Sequence, residues 1–414
     1  MKRPIHFWSA DGSSLPLALR LKREGHSVTW YVKSPEARSI GKGLLTRADS
    51  PPRGSLVIFD STGQGGLGTA YRRQGHLVIG GNPFDKNLEL ERPEGARIMR
   101  KGGIVTPPTF PFSDIPGALR FLKKAEGRWF VKVSGDTVES STCDAPDPES
   151  MIRYLTWVGS KGKVDPFELQ QGVDGIEVSC NGWFDGEKFL KPFDITLEEK
   201  KFLAGDQGPR TGCESCVVWH ARSEALGKVT VQAIEDQLAA EGYRGPVDLN
   251  SLIDDDGTPQ GLEWTARLGF DATQAWMRLF DGDLGEQLEA FAAGESTQWE
   301  PRGPAGTLSG VLRITIPPYP TWEPKLIKKT EGMPLDERVL HDMRFDPVDV
   351  MEDAQAAGGS GIIGTVSAMG SLAEIKASLL TQAESLNIPH KQFRIDPLSR
   401  VESDMARLKK MGYG

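Results

Sequence analysis

Apolar and polar positions follow two rhythms along this chain, and the change between them divides it. Over the first eighty residues, short apolar runs alternate with helical stretches. Residues 4–8 read as a strand, SADGSS as a polar loop, and LALRLKREG as an amphipathic helix with Pro16 in its first turn and Gly25 at its stop. SVTWYV (27–32), LVIFD (56–60) and HLVIG (76–80) continue the series, with a glycine-rich loop at 63–68 and a short helix before the last of them. This alternation predicts a small, mostly parallel sheet covered by helices, a Rossmann-like first domain over residues 1–83. Its ligand edge would be the loops after the strands, notably Asp11–Ser14, with Asp11, Gly12 and Ser13 as substrate contacts, and Ser61–Gly68. The second loop does not spell G-x-G-x-x-G, so a nicotinamide site is not indicated.

From about residue 84 the pattern changes. A charged helix leads to Gly103, and RWFVKV (128–133) is a strand with Lys132 near its end. FELQQ and IEVSCNGWF flank the turn VDG, and residues 187–195 read as a third antiparallel strand. Residues 222–241 read as one long helix; GPVDLNSLI and GLEWTAR then pair across DDDG, a strong hairpin signal. A stretch rich in Gly, Pro and polar residues at 294–306 is a candidate linker. Beyond it come strands near 308–316 and 361–367 and helices near 371–385 and 399–410, with no internal repeat. The expected organisation is a central region over 84–293, containing a lid at about 108–180, and a small C-terminal α/β domain over 307–414.

Side chains two apart in a strand share a face. Asp248 and Asn250 therefore point one way and Val247, Leu249 and Ser251 the other; Glu263, Thr265 and Arg267 oppose Leu262, Trp264 and Ala266. Hard oxygen donors gathered on one side of a hairpin suit magnesium and the phosphates it accompanies; a merely solvated hairpin face is the plainer alternative. Upstream, KKFLAGDQGPRTG (200–212) reads as a short polar loop whose glycines let main-chain N–H groups approach an anion, with lysines beside it; a surface turn is the alternative. Cys213, Cys216 and His220 have the spacing of a partial zinc site, although packed thiols account for them more simply.

The chain has 414 residues, 38% hydrophobic and 26% charged, with net charge −8. Such a balance argues against a general nucleic-acid binder. No apolar run is long enough to cross a bilayer, the N-terminus carries no secretory pattern, and four cysteines make no disulfide framework, so a reducing cytoplasm is expected.

Taken in order, these segments resemble the ATP-grasp ligases, and within them phosphoribosylamine–glycine ligase, an enzyme of purine biosynthesis. GDQGPRTG (205–212), GLEWTARLGFDATQ (261–274), LQQGVDGIEVS (169–179) and the tail from GTVSAMGS to QFRID carry the likeness, which runs from about residue 80 to 400. The resemblance implies an ATP-grasp fold, mixed α/β and α+β, with a Rossmann-like domain before it. It implies ATP and Mg²⁺ (or Mn²⁺) as cofactors and small amine and carboxylate substrates, in a monomer or homodimer. Lys132 and the Arg92 position would contact ATP; Gln170, Gln171 and Val173 would form the adenine hinge, and Glu177 would bind ribose. Glu263, Thr265 and Asp248 or Asn250 would hold the metal. Lys200, Asp206 and Arg267 would act at the acyl phosphate, with Thr211 and Gly212 at the substrate.

The chain also departs from the family pattern. Arg92 replaces a lysine, Gln170 and Gln171 replace glutamates, and Thr265 replaces a metal-binding asparagine. The segment VSGDTVESST is poorer in glycine, and DSTGQGG (60–66) stands where the family has an amine-binding segment. Two alternatives follow: the same chemistry on another amine or acid, such as a modified nucleotide, or a non-catalytic nucleotide-binding relative.

Overall fold

A computed structural model of the chain describes residues 2–133, 143–162, 166–295, 298–321, 332–335, 345–347, 350–351, 356–357 and 360–414. The first strand, β1 (Ile5–Ser9), is buried at every position, so both of its faces must be covered. Helix α1 (Leu15–Arg23), with Pro16 in its first turn, supplies Leu15, Leu17 and Leu21 to that core. Strands β2 (Val28–Val32), β3 (Thr46–Arg47), β4 (Leu56–Phe59) and β5 (Leu77–Ile79) complete a parallel sheet in the order β3-β2-β1-β4-β5. Helix α2 (Gly65–Arg73) crosses so near the end of β5 that a Cβ on Gly68 would collide with the Gly81 carbonyl oxygen. The strand order reverses between β1 and β4, which places the loops after them, carrying Ser9–Ser14 and Asp60, at a topological switch point.

Helices α3 (Pro83–Glu89) and α4 (Arg92–Lys101) lead out of this domain, α3 capped by the Asn82 side chain accepting from the Phe84 N–H at 2.8 Å. A second antiparallel sheet, of order β6-β9-β7-β8, follows: β6 (Thr109–Phe112), β7 (Trp129–Val133), β8 (Cys143–Ala145) and β9 (Phe167–Gln171). Helices α5 (Ile115–Leu122) and α6 (Pro148–Gly159) start at Asp114 and Asp147 caps followed by proline in the first turn. They pack on the sheet around a separate small core that includes Trp129, Met151, Phe167 and Leu169.

The third sheet is the floor. Among the described residues it joins β10 (Ile176–Phe184), β11 (Asp194–Leu203), β12 (Gln207–His220), β13 (Gly245–Ile253), β14 (Pro259–Thr265), β15 (Leu308–Thr315), β16 (Phe345–Pro347) and, beyond a β17–β18 ladder (Val350–Met351, Ala356–Ala357), β19 (Ile362–Gly370). The order is β14-β13-β10-β11-β12-β15-β19-β16, antiparallel throughout. Helices α7 (Ala225–Val229), α8 (Glu235–Ala240), α9 (Ala272–Arg278), α10 (Leu284–Ala293), α11 (Leu372–Ser385) and α12 (Val401–Lys410) are the remaining α-helices among the described residues.

Several expectations change here. Residues 200–212 are a β-hairpin tip closed by a 3₁₀ turn at Ala204–Asp206, not an irregular loop. The third antiparallel strand runs over 194–203, seven residues later than its predicted start. The helix expected over 222–241 is broken at the β-branched run Val229–Val231, where Thr230 leaves helical geometry (φ −122°, ψ −106°). The stretch 294–306 is anchored by Trp299, 2% exposed and in edge contact with Trp183, Trp276 and Phe280. The strands after it extend the floor sheet instead of forming a sheet of their own.

A buried ion pair ties that extension to the site. Arg313 of β15 donates to Asp271 at 2.7 Å and to the Tyr319 hydroxyl at 3.0 Å, and Tyr319 in turn donates to Glu214 at 2.6 Å. Asp271 immediately precedes α9. Removing one partner leaves the other charge buried and alone, so Asp271→Ala is expected to cost about 3–5 kcal/mol, read from the urea midpoint. Replacing both residues with apolar ones should recover most of that loss; a single-variant cost below about 1 kcal/mol would contradict the pairing argument.

Candidate active site

The lid sheet and the floor sheet face each other across a cleft of about 1150 Å³. Lys132 of β7 and Gln170 and Gln171 of β9 line its upper side, with Val173 beyond β9; Glu177, Lys200, Asn250 and Glu263 line the floor, and Gly208–Gly212 of the hairpin close one end. A deeper cavity of about 200 Å³ continues under Lys200 and Glu263 past Asp248, Thr265 and Arg267.

The β13–β14 hairpin builds the centre. Asp248 pairs with Thr265 and Asn250 with Glu263 across the ladder, so all four polar side chains fall on neighbouring positions. A β-bulge follows: Ser251 pairs with Gly261, leaving Leu262 as an extra residue. The bulge puts Leu262 at the cleft beside Glu263, although simple alternation assigns it to the opposite face. Glu263 accepts from Arg92 Nη1 at 3.2 Å and remains 43% exposed. Burial pushes its carboxyl up, but Lys132, Arg92 and Lys200 outweigh that and hold it at about 2. Lys132 shows the converse: burial lowers its ammonium to about 8 despite the attraction of Glu263.

Lys200 sits between two carboxylates, Glu177 at 2.7 Å and Glu198 at 3.4 Å. Burial would lower its pKa, and Glu177 and Glu198 reverse that and raise it. Glu177, which is also 3.9 Å from Arg210, accepts from Asn250 Nδ2 at 3.4 Å. That bond leaves Asn250 Oδ1 buried without a hydrogen-bond partner. Asp248 is raised well above the usual carboxylate range by burial and by Glu198. A divalent cation fits this set, because the orphaned amide oxygen and the ionised Glu263 are the hard donors it requires.

The sequence-predicted residues are not all brought together. Arg267 lines the inner cavity but donates to Glu89 at 2.9 Å, while its guanidinium lies 4.4 Å from the Phe270 ring centroid. Thr211 and Gly212 line the cleft, with the Thr211 hydroxyl donating to the Lys200 carbonyl at 3.0 Å. Asp206 does not belong to the lining: it sits at the hairpin tip (φ 55°) and accepts from Arg394 at 2.9 Å, with Arg400 at 3.3 Å. Its carboxylate anchors the hairpin to the C-terminal segment. Ser13 lines a small pocket that shares Leu268, Gly269, Phe270 and Thr273 with the inner cavity. Asp11 is exposed and accepts from the Ser13 N–H, while Gly12 (φ 93°) is packed against Ile40. The segment VSGDTVESST lies outside the described residues after Val133.

The simpler reading of Cys213, Cys216 and His220 as packed groups agrees with their surroundings. His220 pairs with Asp194 at 2.7 Å, while Cys213 and Cys216 are buried thiols. Among the described residues, the potential ligand atoms that converge belong to Glu24, His26 and Asp283, a group already bonded to Lys2.

Sequence reasoning missed Glu198, Glu89 and Asp60. Glu198 is two residues from Lys200 in β11 and was legible once that strand was placed correctly. Glu89 and Asp60 meet their partners only through the fold.

Sequence and structure comparisons follow the same lines. No protein-family model matches the chain. Phosphoribosylamine–glycine ligase of Vibrio cholerae is 25% identical over 272 residues, 62% of this chain and 62% of that one. The match thus spans less than two thirds of the relative's length. The crystal structure of phosphoribosylamine–glycine ligase from Thermotoga maritima superposes with a TM-score of 0.74 at 18% identity, covering 95% of this chain and all of that one. A biotin carboxylase domain from Hydrogenobacter thermophilus, solved with MgADP and bicarbonate, reaches 0.64 at 12% identity, with 98% of each chain covered. The chain has the ATP-grasp fold and is similar to the phosphoribosylamine–glycine ligases.

Asp60 offers a pH test of the switch-point pocket. Its buried carboxyl accepts from Ser14 at 2.6 Å and from the Ala10 N–H at 3.0 Å, yet burial and then Asp11 lift it to about 6. The folded chain therefore binds the extra proton, and the stability this group contributes is lost as pH rises from about 4 through about 6. Carbon-13 NMR of the Asp60 carboxyl should show that midpoint, and Asp11→Asn should move it down. A titration near 4 in the parent chain would contradict the assignment.

Proposed function

We propose that this chain is an ATP-dependent carboxylate–amine ligase that works through an acyl phosphate, with chemistry like that of the phosphoribosylamine–glycine ligases. The observation that carries this reading is Glu263, an ionised, 43% exposed carboxylate among Arg92, Lys132 and Lys200 beneath the lid sheet. An acid flanked by three cations at the mouth of a deeper cavity suits a site for polyphosphate, where positive groups face the anion and one carboxylate joins the accompanying cation.

In this reading the nucleotide lies between lid and floor. Gln170, Gln171 and Val173 border the adenine, with Leu252 and Leu262 as apolar floor beneath it. Lys132 and Arg92 contact the phosphates. Glu263 and Asn250 would hold Mg²⁺, with Asp248 and Thr265 beside them, and the ion would supply charge neutralisation at the transferring phosphoryl group. Manganese would serve the same donors. Glu177, bonded to Lys200 and Asn250, is within the cleft for a ribose contact.

The carboxylate substrate attacks the γ-phosphorus, the β–γ bridge breaks, and ADP leaves. Lys200 and Arg267 stabilise the charge on the equatorial oxygens, and Gly208, Thr211 and Gly212 supply main-chain N–H groups. An amine then attacks the acyl carbon and expels phosphate. Positioning and charge stabilisation carry the rate, so no protein nucleophile is required. An active enzyme is preferred over a binding-only relative because Lys132, Lys200, Glu263 and Asn250 converge on one cleft.

Glu263→Gln keeps the shape and removes the charge. It is expected to lower ADP release by at least about 100-fold, the scale of losing one transition-state charge contact, and to lower the melting temperature without changing the circular dichroism of the folded chain, because Arg92 and Lys132 lose the carboxylate that compensates them. Lys132→Ala should behave alike in turnover and weaken ADP binding in calorimetry. Full turnover in either variant would refute the assignment, and ATP binding without ADP release against any acid and amine would favour the binding-only relative.

A further inference from the structure

We propose that the amine taken by this site carries no phosphate and enters the switch-point recess with a hydroxyl or ammonium group that donates to Gln274; this rests on the ligase reading above. The recess lies between the loop after β1, the end of β4 and helix α9, and Ser13, Ser14, Asp60, Thr273 and Gln274 are its polar lining. It shares Leu268, Gly269, Phe270 and Thr273 with the inner cavity, which reaches Lys200 and Glu263. An amine standing at the phosphoryl end can therefore run its tail into the recess.

The recess is built against an anion. A strand-end loop leading into a helix ordinarily offers free N–H groups to a phosphate. Here Asp60 takes that place, its carboxylate accepting from the Ser14 hydroxyl at 2.6 Å and the Ala10 N–H at 3.0 Å. The Gly12 N–H goes to Ser9 Oγ at 2.8 Å, that of Ser13 to Asp11 at 3.0 Å and that of Leu15 to the Gly12 carbonyl at 3.1 Å; Pro16 has none. In the loop after β4 the Gly63 N–H is likewise taken by Asp85, at 2.9 Å. Among the described residues no lysine or arginine lines the recess. A phosphate there would face a buried carboxylate with no cation to offset it. Size points the same way, since about 10 Å³ admits one water-sized group.

What the recess offers is an acceptor. Gln274 is 3% exposed, and its Oε1 is buried without a hydrogen-bond partner. An unpaired amide oxygen in the interior costs its desolvation, which a donor from the ligand recovers. Hydroxyl and ammonium groups are donors of the right size, and the Asp60 carboxylate in the same wall favours positive charge.

The test compares amines with their own phosphate esters: ethanolamine with phosphoethanolamine, ribosylamine with 5-phosphoribosylamine, glucosamine with glucosamine 6-phosphate. Each is supplied to the full chain with ATP, Mg²⁺ and glycine, alanine, glutamate or lysine as the acid. The amine nitrogen bonds to the acyl carbon, phosphate leaves with the C–O electron pair, and nitrogen loses a proton; the amide is measured by mass spectrometry. The free amine is expected to exceed its ester at least tenfold in kcat/KM. Gln274→Leu, checked for ADP binding and melting temperature, should raise the KM of that amine about tenfold, the scale of one lost buried hydrogen bond. If that variant does not fold, the paired comparison in the parent chain decides alone. An ester equal to or better than its free amine overturns this inference and leaves the ligase reading standing, as does an unmoved KM in a folded Gln274→Leu. Hydroxamate formed with hydroxylamine, but no amide from any pair, does the same. ADP binding with neither amide nor hydroxamate from any acid overturns both.

Discussion

Charge compensation in a partly buried cleft is the constraint on which this molecule is built. Carboxylates and cations placed there each lose solvation, and only mutual pairing keeps them charged. Glu263 stays ionised because Arg92, Lys132 and Lys200 surround it. Lys200 stays protonated because Glu177 and Glu198 flank it. The pairs come from different sheets and helices: Arg92 from α4, Lys132 from the lid, Lys200 from β11 and Glu263 from β14. Bringing them together is therefore equivalent to closing the lid, the floor and the helix α4 that leads out of the first domain on one point.

The C-terminal extension serves the same end from behind. Arg394, fully buried, contacts Glu199, Asp206 and Asp396, and Glu199 accepts from the Leu398 and Ser399 N–H groups at 2.7 Å. Together with Arg313–Asp271, these contacts fix both ends of the β11–β12 hairpin and the start of α9. A hairpin rich in glycine has little intrinsic rigidity, so its stiffness comes from residues about 190 positions away. This accounts for Asp206, a residue suited by type to the reaction centre but used as an anchor.

Legibility in the sequence followed the range of the interactions. The β13–β14 hairpin could be read because period-two polarity and a DDDG turn are local, and its pairing appears as expected. The bulge at Leu262 was invisible, since an extra residue in a ladder depends on the partner strand. Residues 200–212 looked like a loop because Gly205, Gly208 and Pro209 resemble turn residues; pairing of Lys201 with Arg210 overrides that composition. Residues 294–306 read as a linker on composition, and most of those described are exposed, yet Trp299 alone among them is buried and pins the segment to the core. Strands β1, β2, β4 and β5, by contrast, lie within a residue or two of their predicted places because continuous apolar runs need burial on both faces, whereas the exposed two-residue β3 carries no such run.

The departures from the family pattern also acquire a physical reading. Thr265 is a weaker donor than asparagine, but it faces Asp248 across the ladder, while Asn250 faces Glu263 with one amide oxygen unused. Donor capacity is thus present on the adjacent strand, one cross-strand pair away from where the resemblance puts it. Arg92 spreads its charge over a planar group and reaches Glu263 directly at 3.2 Å, which a more compact ammonium would do with less geometric control. Gln170 uses its amide on the Thr109 hydroxyl at 3.2 Å, fixing the hinge strand by a neutral bond and adding no negative charge near Lys132. Each substitution keeps the sign of the local charge balance or shifts it toward positive on the phosphate side of the cleft.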